Sequence, residues 1–272
     1  MKQRGIPYYR RRRLEPISQR ARRSLARLTG GERKDQRVYR VEFGALTLKQ
    51  IVFARAAIAE RLESILERLR DTRVAPAPIA RYGRELWLEF LEGDPVPAEP
   101  APVDELARIF ASLYCESPRE VARDERDFAR EVEHDLDFLY AAGALDGPGH
   151  AALRERAARW SPAAVWVGHD YSDARPQNFL RLADGELRLI DVESLQDDAP
   201  LGAGAVRAVL RWPDLSREAL LSRLRARGAA AFEPYLDFVE LWYVAGWTKR
   251  CLLQRKQRLV DPERLAELAS RP

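Results

Sequence analysis

Asp173 and Asn178 lie five residues apart, with Arg175 and Pro176 between them. An aspartate can take or orient the proton of an attacking hydroxyl, and an amide oxygen is a hard metal ligand. Pro176 keeps this loop out of a helix and limits its freedom. Two short apolar strands follow, Phe179–Leu182 and Glu186–Ile190, joined across Ala183-Asp184-Gly185. Asp-Gly is a strong hairpin signal. The second strand releases Asp191-Val192-Glu193 at its end, so a carboxylate arrives one hairpin after the amide. Two hard oxygens completed by phosphates suit Mg²⁺. An Asp-x4-Asn alone is weak, and a surface hairpin with incidental acids is the alternative. The order of loop, hairpin and acid gives the pattern its specificity.

These residues need elements to carry them. Arg37–Phe43 and Leu46–Val52 alternate like strands about Gly44, and a helix over 55–70 follows, with Ile58, Leu62, Ile65, Leu66 and Leu69 at helical spacing. A hairpin is expected across Gly83, from Ile79 to Leu91. A linker runs through Gly93-Asp94-Pro95-Val96-Pro97, after which helical periodicity dominates. Strands first and helices second predict an α+β architecture rather than alternating βαβ units. The expected division is a basic arm (1–28), a sheet-rich region (29–92) and a helical region (93–272). The aromatic stripe Phe232, Tyr235, Phe238, Trp242, Tyr243 and Trp247 reads as core packing.

The net charge of +4 is unevenly spread. The first 28 residues carry +9 and the remainder −5. Three readings of the arm stand: a solvated charge run, contact with nucleic acid or another anionic surface, or packing back onto the sheet. Two distant cysteines and three histidines without cysteine neighbours make no zinc site. No apolar run approaches the length of a membrane helix, and the expected compartment is cytoplasmic.

The chain resembles the aminoglycoside phosphotransferase and choline kinase family, over roughly residues 28 to 250. The family's His-Gly-Asp-x-x-Pro-x-Asn falls on Tyr171 to Asn178, and its Ile-Asp-x-Glu on Ile190, Asp191, Val192 and Glu193. Tyr171-Ser172 replaces His-Gly, and a His-Asp pair stands upstream at His169-Asp170, so Asp170 is the rival to Asp173 as base. The resemblance implies a bilobal protein-kinase-like fold, with a small antiparallel-sheet N-lobe and a larger helical C-lobe.

It also implies ATP and Mg²⁺ as cofactors and transfer of the γ-phosphate to a hydroxyl of a small molecule. Asp173 would align that hydroxyl and Arg175 would contact phosphate. Asn178 and Asp191 would hold the metal. Gly30 and Gly31 would approach the phosphates, and Lys49 would contact them. Glu63 on the following helix is the choice for the partner of Lys49. Backbone groups of Phe90 and Leu91 would hold adenine. Candidate acids for a cationic acceptor are Glu193, Asp197, Asp198, Glu233, Asp237 and Glu240. The alternative is a protein kinase or regulatory kinase-like protein that docks through the arm. The short space after Glu193, without Ala-Pro-Glu, argues for the small molecule.

Overall fold

The computed structural model describes residues 9–13, 36–256 and 260–271. The chain forms two compact units, 1–97 with 176–195, and 98–175 with 196–272.

The first unit is built on a five-stranded antiparallel sheet in the order β1-β2-β3-β5-β4. Its strands are β1 (Tyr9–Arg13), β2 (Arg37–Phe43), β3 (Leu46–Val52), β4 (Pro78–Tyr82) and β5 (Glu85–Glu89). Two-residue turns close β2–β3 and β4–β5, and Gly44 and Gly83 supply the positive φ (60° and 58°) those turns demand. One face carries Ile51, Leu86 and Leu88, all fully buried. Helix α1 (Ala56–Arg68) covers it with Ala59, Leu62, Ile65 and Leu66, one stripe of a 3.6-residue period.

Strand β1 is the arm's contribution to the sheet. Residues 9–13 pair antiparallel with β2, Arg12 opposite Arg40, and the Arg11 guanidinium lies 3.6 Å over the Tyr39 ring. Packing back on the sheet therefore holds for these residues, while the rest of the arm falls outside the described residues. So do Gly30 and Gly31.

A second, three-stranded sheet in this unit has the order β10-β9-β6. Strands β9 (Phe179–Leu182) and β10 (Leu187–Leu189) form the expected hairpin, and β6 (Gly93–Pro95) pairs with β9, Gly93 opposite Leu182. The Leu189 N–H donates to the Val74 carbonyl at 2.9 Å. This is why 176–195 packs with the first unit, although a cut at residue 92 gives it to the helical region.

The second unit is mainly helical: α2 (Val103–Tyr114), α3 (Phe128–Ala141), α4 (Gly147–Trp160), α5 (Ala203–Val209), α6 (Arg217–Arg225), α7 (Leu236–Leu253) and α8 (Pro262–Ser270). A small sheet joins β7 (Arg119–Ala122), β8 (Ala164–Tyr171) and β11 (Leu195–Pro200). Asp127, Asp146, Ser216 and Asp261 cap their helices by accepting from the N–H three residues on. Leu106, Ile109, Phe110, Leu113, Phe232 and Phe238 lie in the core of this unit, fully buried. Among the described residues no helix is long and apolar enough to cross a membrane.

Candidate active site

In the first unit, the register of β9 and β10 sets the metal-ligand candidates side by side. Phe179 pairs with Leu189, and one step further the Ile190 N–H donates to the Asn178 carbonyl at 2.9 Å. Asp191 follows directly, so the backbones of Asn178 and Asp191 lie at the same, open end of the hairpin. Asn178 is buried and Asp191 half-buried. Among the described residues there is no group of three or more His, Cys, Asp or Glu able to hold a metal unaided.

Lys49 reaches this same end. It sits at the centre of β3, between Arg40 on β2 and Leu88 on β5. Its ammonium donates to the Ile190 carbonyl at 2.6 Å and stands 3.8 Å from the Glu193 carboxylate. Gln36 donates to the other oxygen of Glu193 at 2.5 Å. Both members of the Lys49–Glu193 pair are largely buried, with side-chain exposures of 14% and 10%.

Glu63 is not the partner of Lys49. Its carboxylate bonds Arg81 of β4 at 2.6 Å. The buried stripe of α1 runs through Ala59, Leu62, Ile65 and Leu66, and this phase turns Glu63 towards β4. Phe90 and Leu91 follow β5, with Leu91 buried and the Arg40 guanidinium 4.7 Å over the Phe90 ring.

In the second unit, two acids three residues apart have different surroundings. Asp170, at the end of β8, is fully buried. Its Oδ1 accepts from the Tyr171 N–H at 2.6 Å and the Tyr114 hydroxyl at 3.2 Å, and its Oδ2 from the Gly204 N–H at 3.0 Å. Burial pushes its carboxyl up to about 6, a rise these bonds restrain. Only glycine fits opposite, since a Cβ on residue 204 would meet Asp170 Oδ1 at 2.4 Å. Asp170 thus ties β8 to the first turn of α5, and its carboxylate is sealed from solvent.

Asp173 retains 18% side-chain exposure and is held by arginines. Arg175 donates to one oxygen at 2.6 Å and Arg207 to the other at 3.4 Å. Arg207 is the buried one, with 3% of its side chain exposed, and its guanidinium lies 4.6 Å over the Trp247 ring. Burial lowers the pKa of this guanidinium. Tyr243 donates to the Ser172 carbonyl at 3.3 Å, which pins the loop to α7. Of the aromatic stripe, Phe232, Tyr235, Phe238 and Tyr243 are core, as expected, while Trp242 and Trp247 are half-buried; Tyr243 holds the loop directly and Trp247 through Arg207.

Sequence reasoning missed Arg207. Its signal was present: it is the single charge in Ala203–Val209, a helix otherwise made of Ala, Gly and Val. Among the acids considered for a cationic acceptor, Glu193 faces Lys49, Asp198 faces Arg119 and Arg126, Glu233 faces Arg225, and Asp237 and Glu240 face Arg217 and Arg271.

No family model matches the chain, and no curated protein matches it by sequence. Solved structures match it by fold. The choline kinase LicA of Streptococcus pneumoniae is 15% identical, over 86% of this chain and 89% of that one, with a TM-score of 0.60. LicA in complex with AMP matches over 94% and 99%, at 14% identity and a TM-score of 0.56. The macrolide 2′-phosphotransferase MphH of Brachybacterium faecium is 15% identical over 93% and 98%, with a TM-score of 0.58. This chain therefore carries the α+β, protein-kinase-like fold of these structures, on a sequence at most 15% identical to the three.

Proposed function

We propose that this chain is an ATP-dependent phosphotransferase that moves the γ-phosphate directly to a hydroxyl of a small molecule. The observation that carries this reading is Lys49, whose ammonium is held on the Ile190 carbonyl and beside Glu193. A lysine fixed one residue from Asp191, and from the amide-bearing end of the hairpin, is placed for phosphate. The fold it shares with LicA, which has been seen with AMP, supports nucleotide binding.

Nucleotide binding is assigned to the first unit. Lys49 would neutralise the α- and β-phosphates, and backbone groups of Phe90 and Leu91 would hold adenine. Gly30 and Gly31 would complete the phosphate contacts. The side chains of Asn178 and Asp191 fit Mg²⁺: both offer hard oxygens, and so small a protein set suits an ion that keeps waters and takes phosphate oxygens. When bound, Mg²⁺ offsets phosphate charge. Acceptor binding is assigned to the helical second unit.

There Asp173 would orient the acceptor hydroxyl and receive its proton as the oxygen attacks phosphorus. Asp170 is unsuited to this role, since its oxygens are spent on internal donors. Arg175 holds the Asp173 carboxylate and is about one-third exposed, so it can exchange that anion for the γ-phosphate. Arg207 keeps Asp173 in place. Catalysis is then positioning and electrostatics rather than covalent chemistry. Pairing of β1 with β2 draws residues 9–13 into the sheet, which leaves less of the arm to dock a protein substrate.

The test is a thermal shift with MgATP, followed by phosphate transfer to a panel of hydroxyl-bearing amines, sugars and macrolides. MgATP should raise Tm more than ATP with EDTA. Asp173→Ala should keep the shift and lower kcat by about 10²–10⁴. Failure to bind MgATP sinks the reading, and full turnover by Asp173→Ala sinks the choice of base.

A further inference from the structure

The helical unit contains a second concave site. A cavity of about 270 Å³ opens among α5, α6, α7 and α8. Its walls are apolar, with Val206 and Val209 from α5, Leu220 and Leu221 from α6, and Leu236 at the start of α7. One end is charged and carries Arg217, Arg264 and Arg271 with Glu240 and Glu267.

Glu240 is the anchor of that end, at 2% exposure. Its carboxylate accepts from Arg271 at 2.7 Å, from Arg217 at 3.5 Å and from Arg264. Asp237, just outside the lining, takes Arg217 at 2.7 Å and Arg271 at 3.2 Å, and Glu267 takes Arg271 at 3.1 Å as well as Arg264. Each guanidinium offers five N–H donors and no acceptor. Three of them face three carboxylates, Asp237, Glu240 and Glu267, so the charges balance, but the N–H donors outnumber the carboxylate oxygens and Arg264 Nε is buried with no partner. A donor surplus in planar forks suits a carboxylate, which guanidinium binds two oxygens at a time. The apolar walls suit a hydrocarbon body, and the volume lies near the lower end for ligand pockets.

This cavity is separate from Asp173. Arg207 of α5 points to Asp173 and Trp247. Val206 and Val209 stand about 100° and 200° around the helix from it. The two sites therefore use different sides of α5.

We propose that this cavity binds a small amphiphilic carboxylate, with its head on Arg217, Arg264 and Arg271 and its chain against α5 and α6. The probe is octanoate, titrated into the full chain by calorimetry without nucleotide, with octylammonium as the charge-reversed control. Octanoate should bind at one site and raise Tm. Arg217→Ala should weaken binding about tenfold. Leu221→Trp, which fills the cavity, should abolish it, and Val209→Phe serves if that variant does not unfold cooperatively. Absence of octanoate binding overturns the proposal. Equal or tighter binding of octylammonium overturns the charge assignment, and binding that survives both cavity-filling variants overturns the location. The readout is independent of phosphotransfer, so failure here leaves the proposed function standing, and the reverse.

Discussion

The first unit presents its chemistry-bearing charges on strands and hairpin ends, where the packing of two separate sheets brings them together. Lys49 meets the Ile190 carbonyl and Glu193 because β3 and the β9–β10 hairpin deliver them to one place. The second unit encloses its charges. Asp170 is compensated by backbone N–H groups and a tyrosine hydroxyl, all fixed in the framework. Asp173 is compensated by side chains, one of them partly exposed and free to change partners. Burial alone therefore does not mark a functional acid. What matters is whether the compensating donors can be exchanged for a ligand or belong to the backbone.

The largest expected effect lies at the sealed acid. Asp170→Ala would leave the Tyr171 and Gly204 N–H groups and the Tyr114 hydroxyl buried without their acceptor. Each orphan costs about 1–3 kcal/mol, so the chain should lose roughly 3 kcal/mol or more of stability, read by denaturant unfolding. A pH experiment sharpens the point. The native carboxyl titrates at about 6, above the unfolded range. Between about pH 4 and 6 the native state therefore holds a proton that the unfolded state has lost. This group's contribution thus falls as pH rises through that window and is level above it. Asp170→Asn still accepts through Oδ1 and should flatten that slope. A slope unchanged in Asp170→Asn would show that another group carries it.

The next effect lies in the first unit. Glu193→Gln keeps the size of the side chain and removes the charge facing Lys49. The lysine would keep the Ile190 carbonyl and lose its carboxylate. As a positioning change, it should lower kcat/KM for ATP by about 10–100-fold, mostly through KM, with little change in Tm. An equal loss in kcat with KM unchanged would place Glu193 at the reacting phosphate instead.

Much of the first unit was legible because its signals are local. Two-residue turns at Gly44 and Gly83, alternation in β2 and β3, and the Leu62–Ile65–Leu66 stripe each act within a few residues. The β9–β10 hairpin followed from Asp184-Gly185 and its flanking apolar runs. Strand β1 was not legible, since Tyr9-Arg10-Arg11-Arg12-Arg13 has no apolar alternation and is a strand through its pairing with β2. In the second unit the contact between Arg207 and Asp173 spans 34 residues, and spacing cannot forecast it. The seal around Asp170 likewise depends on α2 and α5 arriving from both sides in sequence.

The smallest expected effect is the one that separates Glu63 from Glu193. Helix phase makes Glu63 the natural acid to reach from α1 towards a strand lysine, and it does reach a basic strand residue. That residue is Arg81 on β4 rather than Lys49 on β3. The pair keeps about a quarter of each side chain exposed, where water screens the attraction. Glu63→Ala should accordingly leave both kcat and KM for ATP at their wild-type values and move Tm only slightly. Side-by-side kinetics of Glu63→Ala and Glu193→Gln make the comparison decisive. A loss confined to Glu193→Gln assigns the lysine's carboxylate to the hairpin end. An equal loss in Glu63→Ala would mean that α1 moves when nucleotide binds and brings Glu63 to Lys49.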